Sequence, residues 1–166
     1  TCLAPPHPGL YWYLAAGACL VFGLGAVAVS VVWPAGWPML RRVHLHLNLL
    51  GFIGLTALGT LQVLLPTVCN VADAQAASRL RVDLKWALLG TFAVAGGAAT
   101  WTPLALLGLA LWSVPVVRFA RASLRLHGRA LWAADSAAPA LAGALFGLVL
   151  ALASGAAHAL GLLPAS

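Results

Sequence analysis

Acidic side chains are almost absent from this chain of 166 residues: Asp73, Asp83 and Asp135 are the only ones, and there is no glutamate. Charged residues of both signs make up 7% of the sequence, whereas 63% of it is hydrophobic and the mean hydropathy is +0.99. This composition excludes a soluble globular domain and indicates an integral membrane protein. The net charge of +6 resides in residues between apolar runs. We therefore interpret the basic residues as topology determinants and lipid contacts, and expect no nucleic-acid partner.

Sulfur ligands are equally scarce, with one methionine and three cysteines that show no CxxC spacing. We expect no disulfide, and the scarcity of soft ligands disfavours a copper(I) carrier. No Ser/His/Asp arrangement suggests a hydrolase. No acidic residue falls inside an apolar run, which disfavours a proton-coupled carrier or pump.

Five apolar runs predict an all-α fold, an integral membrane bundle of five transmembrane helices that forms one domain over residues 1–166. The expected spans are 9–33, 43–66, 86–101, 104–117 and 136–163. A short loop is expected over 34–42, a longer polar connection over 67–85, and an amphipathic helical extension at the interface over 118–135. The tryptophans are expected to anchor the spans at the two membrane surfaces.

The basic residues divide unequally between the two sides of such a bundle. Seven would lie on the side of the N-terminus: Arg79, Arg81, Lys85, Arg118, Arg121, Arg125 and Arg129. Arg41 and Arg42 would lie on the other side. The positive-inside rule then predicts a multi-pass protein of the bacterial inner membrane, with a cytoplasmic N-terminus and a periplasmic C-terminus.

The second span opens with the chain's most informative feature, the pair His44 and His46 followed by Asn48. Histidine inside a membrane is costly and indicates a functional site. Each residue turns a helix by about 100°, so the two rings point roughly 200° apart and cannot chelate one metal from the same face. One histidine can then bind a cofactor while the other bonds a neighbouring helix, or each can serve a different site. The topology brings His158, near the end of the fifth span, to the same outer layer.

Residues 43–66 resemble one helix of the catalytic subunit of the heme–copper oxidase superfamily, as found in cbb3-type oxidases and nitric oxide reductases, and a similar segment occurs in the NnrS-like family. The matching features are the His-x-His pair, Gly51-Phe52, Gly54, Gly59 and a closing Leu64-Leu65-Pro66. In that family the two histidines ligate different hemes. The chain has fewer spans than the family's subunit and no His-His pair for a copper site. The resemblance therefore implies one heme b, or a partial heme site that another subunit completes.

We expect His44 or His46, together with His158, to supply axial ligands to heme b, and Arg41 and Arg42 to lie near its propionates. Asn48 is a further candidate at this site, although it and Gln62 can equally hold neighbouring helices together. His7 and His127 are expected to be solvated.

Three functional classes follow from these residues. The first is a heme b-binding subunit in electron transfer or in handling a small gas such as NO or O2. The second is a copper-handling module in which His44, His46 and His158 bind the metal. The third is a structural accessory subunit in which the histidines only donate hydrogen bonds. All three place the chain in a lipid bilayer, with other membrane subunits or further copies of itself as partners.

Overall fold

The computed structural model describes residues 6–128, 130–132 and 137–162, and Cys2, Arg129 and Asp135 lie outside these ranges. Five long helices follow one another: α1 (Gly9–Val32), α2 (Pro34–Val68), α3 (Ala76–Thr100), α4 (Thr102–His127) and α5 (Ala138–Ala159). A 3-10 turn, Ala130–Trp132, lies between α4 and α5. The described residues contain no strand, so the all-α prediction is confirmed.

Four of these helices, α1, α2, α4 and α5, are long and apolar enough to cross a membrane. Helix α3 is equally long at 25 residues, but its first part carries charged side chains. It forms a close antiparallel hairpin with α4, because a Cβ at Gly97 would overlap the main chain of Ala105 and one at Gly90 would lie 2.7 Å from the Gly108 oxygen. Helix α3 therefore runs alongside α4 through the bundle.

The loop and span boundaries expected from the sequence are wrong at two places. The connection expected over 67–85 is helical from Ala76 onward, because Leu80, Asp83 and Ala87 recur at helical spacing and are all buried. The loop expected over 34–42 is a 3-10 turn, Pro34–Gly36, that leads directly into helix from Trp37. The prolines of this segment stand at the first positions of helical turns, where a missing N–H costs nothing.

Helix α2 changes its winding directly after the histidine pair. Trp37–His46 is α-helical, Leu47–Gly54 is a π-helix, and Leu55–Val68 is α-helical again. The main-chain N–H of Leu55 bonds the Leu50 oxygen five residues back, which marks the wider turn. Such π segments occur frequently at functional sites.

Two large aromatic side chains form the centre of the core. Trp12 of α1 and Trp112 of α4 are both 0% exposed, and their indole N–H groups donate to the Leu80 carbonyl and to the Thr91 hydroxyl, each at 3.0 Å. The expectation that every tryptophan anchors a membrane surface is therefore wrong for these two. Once its N–H has a partner, a tryptophan contributes more apolar area to a core than any other side chain.

The two ends of the bundle differ in their residues. The histidine end is where α2 begins, with His44 and His46, and where α5 ends, with His158. The arginine end is where α3 begins, with Arg79, and where α4 ends. Helix α5 is the least buried element, since only Ala138 and Leu152 are buried on it. Most of its surface is available to lipid or to another protein.

Candidate functional site

A cavity of about 680 Å³ opens at the histidine end between α2, α3, α4 and α5. Its volume falls within the range of roughly 300–1,000 Å³ that is typical of small-molecule and cofactor sites. His46 of α2 and His158 of α5 both line it. The structure thus brings together two of the three histidines that the sequence singles out, although more than a hundred residues separate them in the chain.

The ring of His46 is held by a hydrogen bond within its own helix. Its Nδ1 lies 2.7 Å from the main-chain oxygen of Arg42, one turn earlier. A carbonyl oxygen only accepts, so Nδ1 carries the proton and donates it. The lone pair of the neutral ring is then on Nε2. Metal-ligating histidines are oriented in this way, with the second ring nitrogen donating to a carbonyl or carboxylate.

His44 faces a different part of the bundle. Its Nδ1 lies 2.9 Å from the main-chain oxygen of Gly23 on α1, and it is not among the residues that line the cavity. The two rings therefore serve different neighbours, as their spacing predicts. The contact to α1 gives His44 a role in holding two helices together.

Asn48 stands beside His44 and away from the cavity lining. Its Nδ2 donates to the His44 carbonyl at 2.8 Å and lies 3.1 Å from the His44 ring nitrogen. It also borders α1, because a Cβ at Gly23 would lie 2.6 Å from that amide nitrogen. Of the two roles that the sequence leaves open for Asn48, the structure places it in helix packing.

The two arginines before the histidines are also separated. Arg42 lines the cavity, and its Nη1 donates to the Ala98 carbonyl of α3 at 3.4 Å. Arg41 is exposed and is not among the lining residues. Of these two arginines, only Arg42 therefore belongs to the cavity that His46 also lines.

The walls of the cavity are otherwise apolar or small. Leucine, isoleucine, valine and alanine side chains line it, together with Thr102, Gly54 and Gly155. A Cβ at Gly155 would meet nothing nearer than Leu109, at 3.9 Å. Apolar walls with one cation and two imidazoles suit a flat, largely apolar ligand that carries an anionic edge.

A second set of polar residues lies at the arginine end, and the sequence did not predict it. Gln62, Asp83, Ser123 and His127 are 0%, 0%, 3% and 3% exposed. Asp83 belongs to α3 and is buried there, although it lies before the span 86–101 that the sequence predicts. His127, expected to be solvated, is buried on the last turn of α4. The signal that could have revealed this cluster is a spacing of four residues, one helical turn, between Arg79 and Asp83 and again between Ser123 and His127.

The remaining thiols and His7 lie apart from both sites. Cys19 and Cys69 are free, and Cys19 packs against Gly51 between α1 and α2. The exposed His7 accepts a bond from the Gly9 N–H at 3.1 Å, at the start of α1. Among the described residues, no group of three or more His, Cys, Asp or Glu side chains could hold a metal ion.

No protein-family model, curated protein or solved structure matches this chain. The likeness of residues 43–66 to a heme–copper oxidase helix therefore stays a prediction.

Proposed function

We propose that this chain is a heme b-binding membrane subunit that uses its histidine end for electron transfer or for handling a small gas such as NO or O2. The observation that carries the proposal is the one cavity that His46 and His158 line together. The fixed tautomer of His46, with Nε2 free of a proton, supports it.

The donor set favours heme over a bare metal ion. Two imidazoles alone leave a copper or zinc ion short of protein ligands, and the described residues hold no cluster of three. Heme needs only one or two protein ligands, since its macrocycle supplies the others. The residues present therefore fit heme b better than the copper alternative.

The residues that line the cavity have different roles in this proposal. His46 and His158 would hold the iron, and the guanidinium of Arg42 would pair with a propionate. The apolar side chains would surround the ring and limit its contact with water. Bound there, heme would supply one-electron transfer or a binding position for a diatomic gas.

The choice between these two activities rests on the number of histidines bound. If both His46 and His158 would hold the iron, a gas could not bind it, and the activity would be electron transfer. If His46 alone would hold it, a gas could bind. Carbon monoxide binding to the reduced protein separates the two cases.

For location, we propose the bacterial inner membrane, with the histidine end toward the periplasm. The seven-to-two division of basic residues supports this orientation. Another membrane subunit or a further copy of the chain would cover the exposed surface of α5. A purely structural accessory subunit remains the alternative if no cofactor binds.

A spectrum of the purified protein tests the proposal. The full chain, produced in a host supplied with heme precursor, should show Soret and alpha bands in a reduced-minus-oxidised difference spectrum. Copper found by metal analysis in protein without heme would favour the copper-handling module. A protein with neither would refute the proposal and leave the accessory role.

A further inference from the structure

The arginine end contains a buried carboxylate that the histidine site does not use. Asp83 of α3 is 0% exposed, and its Oδ1 lies 2.9 Å from Nε of Arg118 on α4. The side chain of Arg118 is 48% exposed. Asp83 is therefore buried, but its ionic partner reaches the surface of the bundle.

At the same end of the bundle, several buried polar atoms have no hydrogen-bond partner among the described residues. They come from three helices: Gln62 Nε2 on α2, Asp83 Oδ2 on α3, and Ser123 Oγ and His127 Nδ1 on α4. Buried polar groups in proteins nearly always find a partner, either protein or ordered water. Four in one region indicate that a ligand completes their bonds.

The chemistry of these atoms favours water as that ligand. Gln62 Nε2 only donates, Asp83 Oδ2 accepts, and the Ser123 hydroxyl does both. A water molecule can meet such a mixture of donors and acceptors, and buried waters typically make about three bonds of this kind. A metal cation is disfavoured, because the guanidinium groups of Arg79 and Arg118 both stand next to Asp83.

The cluster extends along α4 toward the end of the helix. Ser123 and His127 are one turn apart on the same face, and His127 is the last residue of α4. Across from them, Arg79 bonds Asp73 at 2.6 Å and Gln62 at 3.2 Å. Polar groups thus continue from Asp83 to the end of the bundle, where the chain turns.

The other charged or titratable groups of the cluster lie on three elements around Asp83. They are Arg79 on α3, Arg118 and His127 on α4, and Asp73 in the loop before α3. With both carboxylates ionised and His127 neutral, their charges sum to zero. One proton added to Asp83 makes the cluster positive. The only contact that it weakens is the ion pair between Asp83 and Arg118.

We propose that this cluster is a hydrated proton-exchange site, in which water molecules along Ser123 and His127 connect the Asp83 carboxylate to the aqueous phase at the arginine end. In the exchange, a hydronium ion gives its proton to Asp83 Oδ2 and leaves as water. Arg118 keeps its charge and its half-exposed position. The site lies at the opposite end of the bundle from His46 and His158 and goes beyond the proposed heme function.

The scarcity of acidic residues makes the test unusually direct, since Asp73, Asp83 and Asp135 are the only carboxyl side chains. Infrared difference spectra of the full chain in liposomes, recorded across a pH titration, should show a protonated-carboxyl band that shifts in D2O. Asp83→Asn should remove that band, whereas Asp73→Asn and Asp135→Asn should retain it. If the band is absent, or if it persists in Asp83→Asn, the proposal is overturned.

The rate at which the Asp83 carboxyl band shifts after transfer to D2O tests the water connection. Ser123→Leu places an apolar side chain in the cluster and should slow this exchange at least tenfold. Ser113→Leu is the matched control on α4, because the Ser113 hydroxyl already bonds the Leu109 carbonyl at 2.8 Å. Exchange that is equally fast in wild type and both variants would overturn the hydrated route. None of these measurements depends on heme.

Discussion

Replacing His44 or His46 by alanine should have different consequences, although the two residues are neighbours on one helix. His46→Ala removes an imidazole from the cavity that His158 also lines. The purified variant should lose its heme or change from low to high spin, because a ligand to the iron is gone. Its folding should change little, since the lost bond runs only to Arg42 of the same helix.

His44→Ala should instead lower stability and leave the chromophore in place. The variant loses the 2.9 Å bond that joins α2 to Gly23 of α1. One such bond contributes about 0.5–1.5 kcal/mol to the free energy of unfolding. That loss corresponds to a roughly 2- to 10-fold larger unfolding equilibrium constant.

The assay combines a visible spectrum with denaturant unfolding in detergent, followed by circular dichroism. His7→Ala is a control, because His7 lies outside both helix contacts and should leave the spectrum unchanged. The reasoning is refuted if His44→Ala loses the heme spectrum while His46→Ala retains it.

Three further predictions concern the cavity, the α3–α4 packing and the orientation. Gly155→Phe should fill the cavity and abolish heme binding while both histidines remain. Gly143→Phe should leave heme binding unchanged, because Gly143 also faces open space on α5 but lies outside the cavity. Equal heme content in the two variants would contradict the assigned site. Gly97→Leu should lower the free energy of unfolding by about 1–3 kcal/mol or more through overlap with Ala105, while Gly96→Leu, with nothing within 4 Å, should be nearly neutral in the same unfolding assay. Reporter fusions should place the C-terminus outside the cytoplasm, and a cytoplasmic C-terminus would overturn the proposed orientation.

The sequence predicted the helical bundle because apolar runs of this length have few other structures open to them. It also predicted that the two histidines diverge, because an angle of about 100° per residue holds over so short a distance. The brief resemblance of residues 43–66 could add the idea of heme, but not the choice of ligand. That choice required the positions of α1 and α5 around α2.

The second half of α2 departs in part from regular α-helical periodicity. By that periodicity Thr60 would share the face of His46, yet its hydroxyl bonds Tyr13 of α1 at 2.9 Å. The π-helix Leu47–Gly54 lies between the two positions. Its wider turn rotates later residues around the axis, although Ala57 still lines the cavity with His46, and composition alone gives no sign of this segment.

The arginine end was missed for a different reason. Charged residues close together were assigned to a connection, because charge usually indicates solvent. Helical spacing could have placed Asp83 and His127 inside the bundle. The ionic partner of Asp83, however, is Arg118 of α4, thirty-five positions later, and no local pattern reveals that pairing.

The central claim is that His46 and His158 hold one heme b between them, and electron paramagnetic resonance of the oxidised protein tests it most directly. The wild type should give a low-spin signal typical of two imidazole ligands, and His158→Ala should convert it to high spin with heme still bound through His46. A low-spin signal that is unchanged in His158→Ala, or a wild type with no heme signal, would contradict the claim.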